Sequence, residues 1–509
     1  NNAQDTSATG NTVTNGIGLS GTTMDVGAAI ASQQGTTASA NVTATTTASA
    51  SLTAASMGTG STATVSGNVI QARALSANTS NAISVDATTV TLPTVEAGVS
   101  PVATLASTGG TAKAGFTTLN EQNVAGDTLA TINAEAAATS AIKLAVTGGV
   151  TGGSELVNDS NSLTARAQGA VTANSTNLNI GGTLSSGTAG VIGIANGAVI
   201  ANLQTIAAGA NVEADIGTTV GTADLIATTV GGALTASSLS TSANRIQAFA
   251  DGANATNNLA VSATTVSGAA GATAAPNVGT TAAGAVSTAN TAFAVANAQI
   301  SGTGTVTAKI DEPATISSLV TGATSGSNVS LNGNVIDAFG VSNKATNGLS
   351  LTGTTIATDA GVLNVQSSNA PVSSTIGLGA DATTAASRAD GGVIAEFDAN
   401  VTGSAIAVNS NVTRGSAIGN VGNNSLAVSA TTLSGGGTGN KAAAVGSVDG
   451  AATATGDYSL ANSQSLGNTS TSKTNVAAAY GIDVGLIAGS ASTNSRLSVS
   501  SNNQFAEAL

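Results

Sequence analysis

Two pairs of acidic residues stand out as groups that could do chemistry, Asp311 with Glu312 and Glu396 with Asp398. Paired carboxylates can act as the acid and base of a glycosidase, or they can bind calcium through their oxygen atoms. The chain has no His and no Cys, which excludes an imidazole base, a thiol nucleophile and metal sites built on either residue. Because the 25 acidic residues rarely cluster, we expect both pairs to be solvated loop carboxylates.

Glycine-rich segments do not supply a binding site either. Residues 434–442 resemble the glycines of the calcium-binding nonapeptide of secreted repeat proteins, but they contain no Asp. The glycine and lysine pattern of a phosphate-binding loop does not occur in the sequence. We therefore expect a protein that is not an enzyme and that uses no cofactor and no metal ion.

The composition excludes several classes of partner. The net charge is −13 with 12 scattered Lys and Arg, whereas nucleic acids and anionic membrane surfaces require clustered basic residues. Asn196 and Asn202 interrupt the apolar segment 189–203, so no membrane span is expected. The mean hydropathy of +0.27 and the abundance of Thr and Val favour β-strands over disorder.

The sequence opens on NNAQDTSATG, without a basic region followed by an apolar one. We interpret it as a mature chain from which any export signal is missing. The polar, cysteine-free and strand-favouring composition predicts an extracellular location at the bacterial cell surface.

A repeated motif organises the whole chain, residues 1–509, into a single continuous array. Its second strand is recognised seven times, at intervals of 66 to 95 residues, by a leading apolar residue: Ile17, Ile83, Leu178, Leu259, Leu349, Leu426 and Leu497. The approximate motif boundaries are 11–24, 67–90, 160–184, 243–266, 333–356, 410–433 and 482–501.

Each motif is predicted to form a strand, a small polar turn and a second strand. Small or apolar residues alternate with variable ones, which is the pattern of a half-buried strand. In the first strand the outward position holds residues as different as Arg73 and Phe249. The predicted core residues are Ile70, Ala72, Ala74, Leu163, Ala165, Ile246, Ala248, Ala250, Leu259, Val261, Ile336, Ala338, Leu349 and Leu426.

Alanine at successive inward positions indicates a thin core, because a wide one would need larger side chains to reach native packing density. We therefore predict an all-β fold, a parallel β-solenoid with inserted loops. Asn residues recur around the predicted turn, and their amides can bond to copies of themselves one layer away: Asn254, Asn257, Asn258, Asn343, Asn347, Asn420, Asn423 and Asn424. With coils of roughly 20 to 25 residues, each unit would hold three or four coils. Tandem β-sandwich modules are the alternative, although six Phe, two Tyr and no Trp would leave their cores poorly filled. One short helix is considered within 132–146.

The repeat N-x-I-x-A-x-A…N-x-L-x-V-x-x-T-T resembles secreted low-complexity β-repeat proteins of alphaproteobacteria, among them the holdfast anchor proteins that attach an adhesive polysaccharide to the cell surface. The resemblance extends over the whole chain through its repeats and includes no diagnostic site. It implies a surface-exposed structural fibre that binds its own kind and, as a further partner, polysaccharide.

The first and last motif copies show no charged or bulky cap, and the first strand of the first copy looks curtailed. Because solenoids usually need polar caps to prevent end-to-end association, we predict an extracellular filament that assembles head to tail through open β-edges. The assembly candidates are Ile17, Leu19, Leu497, Val499 and Phe505. A monomeric β-helix that binds or cleaves polysaccharide is the alternative.

Overall fold

The computed structural model describes residues 2–47, 49–92, 102–105, 110–134, 140–186, 195–218, 224–267, 278–279, 286–289, 291–311, 314–377, 391–435, 442–447, 450–467, 470–484 and 491–509. Over these ranges the chain forms 41 β-strands, numbered in chain order, and no helix. Most of the strands belong to six parallel sheets, which we name A to F in the order in which the chain visits them. The prediction of an all-β solenoid is confirmed, and the strand pairing is not that of tandem antiparallel sandwiches.

Sheet A is the widest wall of the solenoid, with strands of up to 25 residues. From one edge to the other it contains β1 (Ala3–Asp25), β6 (Val69–Leu92), β13 (Ser162–Ser186), β19 (Arg245–Ser267), β27 (Val335–Ala357), β33 (Val412–Ser434) and β41 (Asn503–Ala508).

Sheets B and C follow sheet A in each coil. Sheet B contains β2 (Ala28–Gly35), β8 (Gly110–Val124), β14 (Ala195–Ile206), β22 (Phe293–Ser301), β28 (Ala360–Ser368) and β36 (Tyr458–Leu466). Sheet C contains β3 (Val42–Thr47), β9 (Thr128–Ala134), β15 (Val212–Thr218), β23 (Val306–Ile310), β29 (Val372–Ile376) and β37 (Ser472–Val476).

Three short-stranded sheets close the coil. Sheet D contains β4 (Ala50–Ala54), β10 (Ile142–Val146), β16 (Ile226–Val230), β24 (Ala314–Val320), β30 (Gly391–Phe397) and β38 (Ala479–Val484). Sheet E contains β11 (Val150–Thr151), β17 (Leu234–Thr235), β25 (Thr324–Ser325), β31 (Val401–Thr402) and β39 (Ser492–Thr493). Sheet F contains β5 (Thr62–Ser66), β12 (Glu155–Asp159), β18 (Ser238–Ser242), β26 (Asn328–Asn332), β32 (Ala405–Asn409) and β40 (Arg496–Ser500).

Antiparallel strands occur only in the insertions of the described chain. β7 (Val102–Leu105) pairs with β8. A separate four-stranded sheet contains β20 (Val278–Gly279), β21 (Val286–Ala289), β34 (Ala442–Ser447) and β35 (Gly450–Thr455).

Each repeat unit is a single large coil, so the prediction of three or four coils per unit is wrong. The Asn residues that precede the strands of sheet A, from β1 onward, stack directly on one another, at separations of 66, 93, 83, 90, 77 and 91 residues along the chain. A coil therefore passes through all six sheets before it returns to sheet A. The estimate failed because the connecting segments, which differ in sequence between copies, also form stacked strands.

The predicted turn between the two strands of each motif is also wrong, because sheet A runs through it. β19 is continuous over 23 residues, and its alternation of buried and exposed side chains changes phase where Gly252 and Ala253 are both buried. A Cβ atom on Gly252 would lie 2.4 Å from the carbonyl oxygen of Ser342 in the next strand. The position thus needs a very small residue at a bend, which the sequence analysis interpreted as a turn.

The strand pairing corrects three assignments of the motif copies. Thr176, not Leu178, pairs with Ile83, so the predicted start of the second strand in the third copy is two residues too late; the register shift of one residue comes only between Ile180 and Thr183. Leu497 lies in sheet F and pairs with Ile406, so it does not continue the Leu426 position. The first copy is not curtailed, since β1 pairs with β6 from Ala3 to Asp25.

The segment considered for a helix contains no helix among its described residues. β9 covers its beginning and β10 covers residues 142–146, and residues 135–139 lie outside the described part.

The largest core cluster lies between the first half of sheet A and sheets C, D and F. Thirteen of the 14 predicted core residues are buried; Leu426 is partly buried against the second cluster, between the remainder of sheet A and sheet B. The thin core is visible at Gly415, where a Cβ atom would lie 2.7 Å from Cγ2 of Thr474 in sheet C. Alanine and glycine in these positions allow the two sheets to approach closely.

Candidate assembly edges

A column of asparagines runs along the inside of sheet A. Each side-chain amide donates to the side-chain oxygen of the Asn in the next coil, at 2.8 to 2.9 Å, through Asn15, Asn81, Asn174, Asn257, Asn347 and Asn424. The four inner members of this column are buried. Such a ladder satisfies the buried amides only when the coils stack without a shift, so it fixes the register of the stack.

Sheet B contributes two further ladders that face the first. Its Asn ladder donates in the same direction, from Asn120 through Asn202, Asn297 and Asn364 to Asn462. Its Gln ladder donates in the opposite direction, from Gln464 through Gln366, Gln299, Gln204 and Gln122 to Gln34. The Gln amides also donate to main-chain oxygens of sheet A, for example Gln204 to Asn254 at 3.0 Å. We call these three ladders the polar spine.

The corner before sheet A carries a fourth ladder. The side-chain oxygen of Asn244 accepts both the main-chain N–H and the side-chain amide of Asn161, at 3.1 and 3.0 Å. The same pair of hydrogen bonds joins each Asn of this ladder to the next, through Asn2, Asn68, Asn161, Asn244, Asn334, Asn411 and Asn502. The residue before Asn244, Ala243, has a φ of 56°, so the ladder holds the chain in a left-handed corner that alanine disfavours.

The solenoid has two faces at which strands have a neighbour on one side only, among the residues that the structure describes. One face, the first edge, is formed by β1 to β5. The other face, the second edge, is formed by β36 to β41 and by residues 420–434 of β33. Main-chain groups at such edges are free to bond to a further parallel strand.

Every large exposed apolar side chain of the described chain lies in the outermost coils. Val26 and Leu52 belong to the first coil, and the others lie toward the second edge: Leu433, Leu460, Leu466, Leu497, Val499, Phe505 and Leu509. Leu433 is 51% exposed, whereas its register partner Ile356 is fully buried. Leu497 is 43% exposed, and its partner Ile406 is 1% exposed. Leu433 and Leu497 therefore lie at the exposed ends of columns that are buried in the preceding coil.

The predicted assembly candidates fall into three different places. Ile17 and Leu19 lie in β1 and pack partly against the second core cluster. Leu497 and Val499 lie in β40 of sheet F, and Phe505 lies in β41 on the outer face of sheet A. The structure therefore does not bring the two groups into one column: the column of Ile17 ends at Leu426, and that of Leu497 begins at Ala63.

β41 covers part of the second edge and is tied to it across the core. Tyr480 in β38 donates its hydroxyl to the carbonyl oxygen of Asn503 at 2.6 Å, and Thr474 in β37 donates to the carbonyl of Glu507 at 2.6 Å. Ser472 bonds the carbonyl of Leu509 at 2.8 Å. Burial raises the pKa of the Tyr480 phenol above its usual value. These bonds join β41 to sheets C and D.

The outer face of sheet A carries a stacked row of aromatic and guanidinium groups. The rings of Phe249 and Phe339 are nearly parallel, with centroids 5.7 Å apart, and the Arg414 guanidinium lies 4.7 Å from the centroid of Phe339. Arg414 also pairs with Asp337 at 3.2 Å. The outward position predicted for both Phe residues agrees with their partial exposure.

Of the two acidic pairs, only Glu396 with Asp398 lies wholly within the described residues. Asp311 is paired with Lys309 at 2.7 Å, while Glu312 lies outside the described residues. Glu396 and Asp398 both have bonding partners. No group of three or more acidic residues that could hold a metal ion is found among the described residues.

One carboxylate has an unusual environment. Burial, together with the negative charge of Asp311, raises the pKa of Asp215 to about 6, and nearby Lys309 opposes this change. One of its carboxylate oxygens is buried without a hydrogen-bond partner. Spacing in the sequence gave no indication of this group, because Asp215 and Asp311 lie in different coils.

The predicted bonding of asparagines to their copies is confirmed at Asn257, Asn347 and Asn424, whereas the Gln ladder was not predicted. The sequence does carry a signal for the Gln ladder, because the pattern Asn-x-Gln recurs at Gln122, Gln204, Gln299, Gln366 and Gln464. This pattern lies beyond the second strand of the predicted motif.

No protein-family model, curated protein or solved structure matches this chain. Among the described residues, no helix is long and apolar enough to cross a membrane.

Proposed function

We propose that this chain is a structural subunit of an extracellular bacterial filament, in which the second edge of one copy stacks on the first edge of the next. The observation that carries the proposal is the polar spine, in which each Asn or Gln bonds to a residue of its own kind in the next coil, so that the same ladders can continue into a second copy. Leu433 and Leu497 are exposed although their register partners Ile356 and Ile406 are buried, and such exposed apolar groups favour a further layer.

The two edges are complementary in chemistry as well as in shape. Continuation of the stack would place Asn15 on Asn424 and Gln34 on Gln464, so that the ladders of the polar spine extend into the next copy. It would also place Ile17 on Leu426 and Met24 on Leu433. Such a contact uses one surface against a different one and therefore propagates without closing.

Negative-stain electron microscopy and sedimentation of the polypeptide 1–509 test this function. We expect unbranched fibres whose amount increases with protein concentration and persists at about 1 M salt, because main-chain bonds and apolar contacts are weakly screened. A protein that stays monomeric at high concentration would contradict the proposal.

The monomeric polysaccharide-binding alternative has weaker support. The stacked row at Phe249, Phe339 and Arg414 is a surface on which a sugar chain could lie, but Arg414 is engaged by Asp337 and the rings stack on each other. The extracellular location remains part of the proposal and depends on composition.

A further inference from the structure

We propose that two copies of this chain associate side by side, with an arginine strip on the outer face of sheet A of one copy against an acidic patch on the outer face of sheet C of the other. The partner is a second copy of the chain, and the contact uses the inner coils of the solenoid. It is independent of head-to-tail stacking, so the two contacts can be tested separately.

The arginine strip crosses five neighbouring strands of sheet A, from β6 to β33. It includes four of the six arginines of the chain and two phenylalanines: Arg73, Arg166, Arg245, Phe249, Phe339 and Arg414. The residues that alternate with them, such as Ala72, Ala165 and Ala248, belong to the largest core cluster. The strip therefore lies on the outer face of the sheet.

The strip presents positive charge to solvent, although two carboxylates lie within it. Arg414 pairs with Asp337 at 3.2 Å, but the arginine side chain is 48% exposed and the aspartate side chain only 3%. Arg166 pairs with Asp251 at 3.4 Å, with side-chain exposures of 47% and 20%. Because a guanidinium group has five N–H donors, both arginines keep donors for a further carboxylate.

Arg73 and Arg166 lie side by side in adjacent strands as register partners. Like charges at directly opposed positions of a sheet repel each other and lower its stability. Arg73 donates a hydrogen bond to the side-chain oxygen of Gln71, which is uncharged and does not offset this repulsion. An anionic partner would offset it, so the pair indicates a surface that binds negative charge.

The aromatic pair favours a protein as that partner. Phe249 and Phe339 are partly exposed, and their rings stack on each other, with Arg414 over the ring of Phe339. Their faces are thus turned toward neighbours within the strip and not toward a sugar ring outside it. Aromatic residues and arginine are enriched at interfaces between proteins.

Sheet C carries the complementary charge on the opposite side of the same core cluster. Its acidic patch has three carboxylates and one ammonium group, a net charge of −2: Glu213, Asp215, Lys309 and Asp311. Val212, Ala214 and Ile216 alternate with the acidic residues of β15 and belong to the core cluster. The patch therefore faces away from the core, as the arginine strip does on the other side.

The two surfaces match in position along the solenoid. Arg166 and Arg245 lie in the third and fourth coils, and so do Glu213 and Asp311. Because neighbouring strands are about 4.8 Å apart in every sheet, two parallel solenoids can pair these groups without an axial shift. The strip and the patch lie on opposite sides, so further copies can join in the same direction and form a bundle.

The net charge of the chain restricts how two copies can approach. At −13, most pairs of surfaces repel each other. A contact between the strip and the patch brings opposite charges together, and such complementarity selects one orientation over the others.

Sedimentation velocity and negative-stain microscopy at two salt concentrations test the contact. We expect lateral oligomers, or bundles of fibres, at about 10 mM salt and their dissociation at about 1 M, because the Debye length falls from about 30 Å to about 3 Å. Head-to-tail fibres should remain at the higher concentration.

A charge swap tests the two surfaces directly. Arg166→Glu and Glu213→Arg should each weaken lateral association by at least about tenfold, because each brings like charges together. An equimolar mixture of the two variants should recover the association, since the reversed charge of one then faces the reversed charge of the other. Arg496→Glu is the matched control, because it makes the same charge change at an exposed position of sheet F, and it should associate normally.

Low-salt association that Arg166→Glu leaves unchanged, or a mixture that does not recover, would overturn the lateral contact. Fibres that remain single at low salt would also overturn it, while leaving the head-to-tail function in place. Lateral oligomers without fibres would support the contact and refute that function. Binding of polygalacturonate that is lost in Arg166→Glu, without self-association, would assign the strip to an anionic polysaccharide and overturn the contact.

Discussion

The side-chain amide of Asn257 donates to the side-chain oxygen of Asn347 at 2.8 Å, although the two residues are 90 positions apart in the sequence. Asn257 in turn accepts from Asn174 at 2.8 Å. The bond connects one coil to the next inside the protein, where water does not compete with it. Its existence means that coils of unequal length keep a common register.

Replacement of Asn257 by Ala should destabilise the protein strongly. The amide of Asn174 would lose its acceptor and the side-chain oxygen of Asn347 would lose a donor in a buried setting, for a cost of about 2 to 4 kcal/mol. Urea unfolding followed by circular dichroism measures the change. The neighbouring Asn258→Ala, at an exposed position, should cost less than about 0.5 kcal/mol. Equal effects of the two variants would argue against the ladder as a source of stability.

A charged residue in the core column of sheet A should collapse the protease-resistant body. Ile246 is fully buried, so Ile246→Asp introduces an unpaired buried charge at a cost of about 4 kcal/mol or more. Phe249→Ser, three residues away on the outer face, should lose only the ring stack with Phe339, about 1 kcal/mol. Limited proteolysis distinguishes them, and similar digestion of both variants would contradict the assignment of the two faces.

Asp215 should make stability depend on pH. Because its folded pKa is raised from 3.8 to about 6, its ionisation opposes folding, and the loss of stability develops as the pH rises from about 4 to about 6. The difference corresponds to about 3 kcal/mol. At pH 7, Asp215→Asn should therefore have a higher melting temperature than the unaltered protein. At pH 3.5 the two proteins should have the same melting temperature.

The exposed Asp86→Asn serves as the control for this measurement. The difference in melting temperature between Asp86→Asn and the unaltered protein should not increase as the pH rises. A constant difference between Asp215→Asn and the unaltered protein across this pH range would show that the carboxylate does not oppose folding.

Leu433→Lys should prevent head-to-tail stacking without unfolding the subunit. The side chain is 51% exposed in a single copy, but stacking would bury the new charge against the Met24 column at a cost of several kcal/mol. Ser429→Lys, at an outward position of the same strand, is the matched control and should assemble normally. Sedimentation of both variants provides the measurement, and normal pelleting of Leu433→Lys would rule out the proposed contact.

The fold class could be predicted because period-two alternation and alanine columns report on local geometry. Ala72, Ala165, Ala248 and Ala338 are buried as the pattern indicates. The size of the coil could not be predicted, because stacking in register leaves no local signal in segments such as β3 or β37, whose sequences differ between copies.

The candidate edges were predicted less well than the core. Leu497 was aligned with Leu426 because both begin a similar short apolar alternation, and only strand pairing shows that one lies in sheet F and the other in sheet A. β41 also accepts hydrogen bonds from Tyr480 and Thr474, which lie in other sheets of the solenoid. The periodicity of the sequence does not indicate contacts across a core between side chains from distant segments.

The corner between sheets A and B accepts connections of very different length, from residues 26–27 in the first coil to residues 435–457 in the sixth, while the strands on both sides stay paired. Peptides or whole domains grafted at the short corners should consequently be displayed at regular intervals along an assembled fibre. The grafted segments would thus lie at the corners, while the paired strands on both sides continue to hold the coils together.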